Sequence, residues 1–162
     1  MSSPEHKQKI WNLIKDIKVG MLVTKDDNVP RGRPMHLVQE DYDGTIWFFT
    51  PRSSEKVIEA SGGSEVCLTF SDPQDGVHVS MSGTARLTTD QDLIDKFWNS
   101  EIAAWFTEGK EDPEVAMLEI DIQMGEHWKS EESKVFQLYE IAKANVMGDK
   151  TPDIGENEKF GG

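Results

Sequence analysis

Thr45-Ile46-Trp47-Phe48-Phe49-Thr50-Pro51-Arg52-Ser53-Ser54-Glu55-Lys56 joins two kinds of backbone. The β-branched and aromatic residues from Thr45 to Phe49 predict a strand. Ser53, Ser54, Glu55 and Lys56 then open a helix that runs on through Val57, Ile58 and Ala60. A strand that hands over to a helix start directs free N–H groups and the positive end of the helix dipole outward, a setting for an anion. Thr50 and Ser54 add hydroxyls there and Lys56 adds an ammonium, which together suit a phosphate monoester. The same residues also serve a plainer purpose, with Ser53 capping the helix and Lys56 solvated at the surface. Taken alone, the segment leaves both readings open.

The surrounding chain restricts what such a site can be. Its 162 residues make one ordinary domain with a full core, and 36% hydrophobic against 29% charged residues is the balance of a soluble globular protein. No apolar run approaches the roughly 20 residues that cross a bilayer. The N-terminus lacks the apolar centre of a signal peptide, so a cytoplasmic location is expected. A net charge of −13 excludes general nucleic-acid affinity, and Arg31-Gly32-Arg33 is too small a basic patch to reverse it. Any Arg or Lys that holds an anion must do so against the prevailing field. Cys67 is the only cysteine and sits in Val66-Cys67-Leu68-Thr69-Phe70, which predicts a small buried hydrophobe and no disulfide. His6, His36, His78 and His127 are isolated in sequence, without Cys partners or HExxH spacing, so no metal site is expected.

Outward from the opening stretch, Ser3-Pro4-Glu5 starts a helix carried by Ile10, Leu13, Ile14 and Ile17. Strands are predicted at 21–24, 34–39, 45–50, 65–70 and 77–87, with Gly83 marking a bulge in the last. Thr89 or Asp90 caps a helix to Trp98, and a loop leads to a strand over 115–122. His127-Trp128 begins a short extended piece. Val135, Leu138, Ile141, Ala142 and Val146 then repeat at helical spacing. Trp47, Trp98 and Trp105 read as core or interface residues. Successive strands with short turns and few helices predict a mainly β, α+β fold: a split β-barrel of antiparallel strands with flanking helices. One domain over 1–148 is expected, followed by a polar, loosely held tail over 149–162.

Several of these segments, in this order, resemble the FMN-binding split-barrel family of pyridoxamine 5′-phosphate oxidase-like proteins, and within it the general stress protein branch. They are Arg33-Pro34-Met35-His36-Leu37, Phe48-Phe49-Thr50 with Ser54 and Lys56, and His78-Val79-Ser80-Met81-Ser82-Gly83-Thr84-Ala85. Glu126-His127-Trp128 and Gly155-Glu156-Asn157-Glu158-Lys159 complete the set. The resemblance implies FMN in a cleft between the subunits of a homodimer. Arg33 and Lys56 would contact the phosphate, with Thr50 and Ser54 donating hydrogen bonds. The backbone of Pro34, Met35, His36 and Phe49 would line the ribityl chain and ring. His78 would lie near the flavin, and Trp128 would come from the partner subunit.

The departures matter as much. Val38 and Glu55 stand where vitamin B6 oxidases carry a lysine and an arginine, and no basic residues for a substrate phosphate are evident between Asp90 and Glu108. Pyridoxamine phosphate oxidation is therefore not the expected activity. Two classes remain. One is a flavin-dependent oxidoreductase with a nicotinamide or other small redox partner. The other is a non-catalytic flavin-binding or redox-sensing dimer.

Overall fold

The computed structural model describes residues 3–53, 63–130, 141–146, 148 and 155–161. Helix α1 (Pro4–Ile14) starts where the Ser3 hydroxyl accepts the His6 N–H at 3.2 Å and Pro4 takes the first turn. It stops short of the predicted Ile17, and Lys18 adopts a positive φ that turns the chain into β1. The strands are β1 (Val19–Asp26), β2 (Val29–His36), β3 (Thr45–Pro51), β4 (Ser64–Asp72), β5 (Val77–Thr88), β6 (Val115–Lys129) and β7 (Glu156–Gly161). Helices α2 (Gln91–Phe97) and α3 (Ser100–Ala103) lie between β5 and β6.

All described strand pairs are antiparallel, in the order β2-β1-β4-β5-β6-β3, with β7 also against β6. The sheet curls until its end strands, β2 and β3, approach without a strand ladder between them. That open seam makes the barrel split. Period-two alternation sends Leu22, Leu68, Phe70, Val79, Met81, Phe48 and Ile120 inward, where Ile10, Trp11 and Ile14 of α1 cover them. Each such side chain contributes about 1.5–3 kcal/mol on burial.

The first half of β6 is buried on both faces. Leu118 and Ile120 meet the main core, while Val115 and Met117 meet a second cluster with Ile94, Ile102 and Phe106. Gly83 faces a bulge and does not form one: the β5–β6 register shifts between Ser82 and Gly83 because β6 carries the extra residue, Gln123, and a Cβ at Gly83 would run into the Asp121 carbonyl. The bulge lets one long strand serve both halves of the barrel. Tyr42 is buried below the loop before β3, and its hydroxyl has no hydrogen-bond partner. Burial first, then repulsion from Asp43 and Asp121, pushes its phenol up to about 12.

Some expectations need correction. His127 and Trp128 do not begin a new extended piece but end β6, which runs unbroken for 15 residues. The tail is not loosely held over 156–161. Those residues pair with β6 as β7, and Phe160 packs into the core over Gly125, which leaves room for its ring. Asn157 and Lys159 are the outward half of the strand pattern, while Glu156 and Glu158 share the face of Phe160. Cys67 is only half-buried, on the outer sheet face, with Sγ 3.6 Å from the Ser80 hydroxyl. Trp47 and Trp98 pack against the second cluster as expected, but Trp105 is 79% exposed. Val135 and Leu138 lie outside the described residues; 141–146 are helical, with Ile141 and Val146 exposed.

Candidate functional site

The seam between β2 and β3 gathers most of the described residues expected at an anionic cofactor. Leu22 lies opposite Arg33, which puts the guanidinium on the inward face of β2. Arg33 is half-buried and has no hydrogen bond or ion pair among the described residues. Across the seam, Thr50 lies opposite Ala116 on the inward face of β3. It is 1% exposed, and its hydroxyl has no partner among the described residues. A buried hydroxyl left unpaired costs about 1–3 kcal/mol, so an orphan on the inward face of β3, with an unpaired cation on the inward face of β2, suits an acceptor. Met35 is buried, while Pro34 and His36 are exposed on the other face of β2. Ser54 and Lys56 lie outside the described residues.

The free edge of β3 supplies backbone groups. Gln39 imitates a missing strand neighbour there: its Oε1 accepts the Trp47 N–H at 2.9 Å, and its Nε2 donates to the Thr45 carbonyl at 2.9 Å. Alternation along an antiparallel strand then directs the N–H and C=O of Phe49 to the same open edge. Aromatic walls stand behind it. Phe49 meets Trp98 edge-on at 5.9 Å between centroids, and Trp47 stacks on Phe97 at 5.7 Å.

Ser53 does something the sequence did not suggest. Its hydroxyl donates to Glu114 Oε2 at 2.5 Å, so it is committed to a carboxylate across the strand ends. Nothing in the sequence signals this clamp, because Glu114 is 61 residues away. Gln39 was equally invisible, although a glutamine after Leu37-Val38 is a polar break in an apolar run.

His78 and Trp128 are brought together, directly opposite each other on β5 and β6, and both are exposed. The His78 Nδ1 is 3.1 Å from the Ser71 hydroxyl. Phe49, however, pairs with Met117, and Trp128 lies eleven residues further along β6. That is roughly 35 Å of strand, beyond the reach of one flavin mononucleotide. Within one chain the two groups form separate patches.

Residues 5–153 match the family described as pyridoxamine 5′-phosphate oxidase like. The chain belongs to this family. Among its relatives, general stress protein 26 of Bacillus subtilis is 30% identical over 125 residues, covering 75% of this chain and 86% of the relative. A crystal structure of a general stress protein 26 from Jannaschia sp. CCS1 is 32% identical, covers 99% of this chain and 100% of its own, and superposes with a TM-score of 0.75. The general stress FMN/FAD binding protein of Xanthomonas citri is also 32% identical, with 81% and 93% coverage and a TM-score of 0.72. The pyridoxamine 5′-phosphate oxidase-like fold therefore spans nearly the whole chain. No helix among its described residues is long and apolar enough to cross a membrane.

Proposed function

We propose that this chain is an FMN-binding general stress protein that works as a flavin-dependent oxidoreductase on a small substrate, with two copies completing the site. The observation that carries this reading is the orphaned Thr50 hydroxyl facing inward at the same seam as the uncommitted Arg33 guanidinium. Arg33 and Lys56 neutralise the phosphate, and Thr50 and Ser54 donate charge-assisted hydrogen bonds to it. The open edge at Phe49 and the backbone of Pro34, Met35 and His36 orient the ribityl chain and ring. Bound FMN supplies hydride and electron transfer, for which a nicotinamide is the natural donor class.

A second copy supplies what one chain cannot. Val19, Met21, Met124 and Trp128 are all exposed and all share the outer sheet face. An apolar face of this kind favours a partner. A two-fold pairing of that face would bring the partner copy's Trp128 and His78 patch to the seam. Val38 packs against the second cluster instead of offering a cation, and residue 55 is a glutamate where vitamin B6 oxidases carry an arginine, so the reading sets pyridoxamine phosphate oxidation aside.

The visible absorption spectrum of the purified protein is the first test, and a yellow protein is expected. Anaerobic addition of NADH or NADPH should bleach it, and an acceptor should restore it. Arg33→Ala and Lys56→Ala should each weaken FMN binding by about 1.5–3 kcal/mol. A colourless protein that takes up no added FMN overturns the reading. Bound flavin with no turnover would leave a flavin-storing or redox-sensing dimer in its place.

A further inference from the structure

β6 and β7 bring together three side chains that the sequence keeps apart. His127 lies directly opposite Glu158, and Glu156 lies two residues back on the same face. One donor atom from each lies within 4.8 Å of the others. His127 Nε2 is 3.7 Å from Glu156 Oε2. Two ligands on a tetrahedral zinc, each about 2.1 Å from the ion, stand roughly 3.4 Å apart, so little movement is needed for this pair to share a cation.

His127 is wholly buried, and among the described residues neither ring nitrogen has a hydrogen-bond partner. A buried imidazole ordinarily fixes its tautomer through at least one such bond. Here Nε2 faces the carboxylate without making one. The carboxylates already attract a cation: Lys9 Nζ donates to Glu156 Oε1 at 2.7 Å and to Glu158 Oε2 at 3.2 Å. The Lys9 side chain is 44% exposed, so its ammonium can withdraw into water. A cleft of about 510 Å³ bordered by Lys9, Lys129 and Glu156 gives an ion a way in.

We propose that His127, Glu156 and Glu158 form a site for one divalent transition-metal ion of the zinc class, taken up in exchange for the Lys9 ammonium. One imidazole nitrogen with two carboxylate oxygens suits zinc, with water from the cleft as fourth ligand. Calcium asks for six to eight oxygens. The ligands come from two strands, so the ion cross-links the C-terminal strand to the sheet. It does so away from the β2–β3 seam. The earlier expectation of no metal site rested on spacing in sequence, and the β6–β7 register removes that spacing.

The role of Lys9 separates this site from a simple ion-pair staple. In a staple Lys9 supports the cluster; at a zinc site it competes with the ion. Full-length protein, stripped with chelator, is titrated calorimetrically with zinc chloride. Wild type should take up one zinc per chain, with a rise in Tm. Lys9→Met should bind roughly two- to fivefold tighter, the scale of one exposed ion pair. The Glu156→Gln, Glu158→Gln double variant should lose saturable uptake while circular dichroism stays native. If that variant fails to fold, Glu158→Gln alone should bind at least about tenfold more weakly. No saturable uptake by wild type and Lys9→Met overturns the proposal. So does zinc uptake unchanged by Glu158→Gln, or weakened by Lys9→Met.

Discussion

Thr50 holds two opposing consequences in one hydroxyl. Buried without a partner among the described residues, it weighs against the flavin-free protein; in the proposed complex, opposite a phosphate, it would strengthen binding. Thr50→Val keeps the shape and removes the orphan. We expect the variant to stabilise the flavin-free protein by about 1 kcal/mol and to weaken FMN binding by about 1.5–3 kcal/mol. Thermal melts without flavin and a fluorescence titration with it read the two arms. A loss of stability without flavin would show that the hydroxyl is satisfied inside the barrel. The strand that carries Thr50 was legible in the sequence because β-branched and aromatic residues run from Thr45 to Phe49. Glu114 was not, since a carboxylate that clamps Ser53 from 61 residues away leaves no local pattern. Local chemistry can be read from neighbours in sequence, whereas pairings fixed by sheet register cannot.

The same division holds for whole elements. The strands around Phe48, Phe70 and Val79 follow from their residue pattern, and Gly83 flags the close backbone approach opposite the bulge at Gln123 of β6. β7 escaped because its one inward anchor, Phe160, sits among charged residues and glycines and takes its meaning from Gly125 on another strand. Phe160→Ala should therefore cost about 3 kcal/mol and raise hydrogen exchange in β7 before the rest of the sheet. Uniform exchange across all strands would mean β7 opens only with the whole barrel. The loop before β3 has its own signature. Tyr42 keeps its proton to about pH 12, while an unfolded tyrosine releases it near 10. Between those values the unfolded chain holds fewer protons than the folded one, so stability falls as pH rises. Below about pH 10 the contribution is fully present. A tyrosinate absorbance titration should show one of the two tyrosines ionising late, and Tyr42→Phe should remove that late step. Two tyrosines ionising together near 10 would contradict the burial.

At the scale of the molecule, the long β6 separates the two groups that the proposed flavin site would need. It carries the wall of the seam at one end and the Trp128–His78 patch at the other. Sequence could name both groups but not their separation, because that depends on one strand running unbroken through a bulge. The proposed second copy would resolve the separation, and it would have to overcome repulsion between two chains that each carry −13. Apolar contact supplies the attraction, and salt screens the repulsion within about 10 Å at 0.1 M. Dimerisation should accordingly strengthen with added sodium chloride, opposite to an interface held by ion pairs. FMN bound across the interface should also shift the chain toward dimer, and by linkage the dimer should bind FMN more tightly. Met21→Glu with Met124→Glu places two charges on the outer face without touching Arg33, Thr50 or Phe49 of the same chain. Sedimentation should show a monomer, and FMN affinity should fall with it by at least about tenfold, or 1.4 kcal/mol. A monomeric variant that binds FMN as tightly as the parent would confine the whole cofactor site to one chain and leave the exposed apolar face without a role in it.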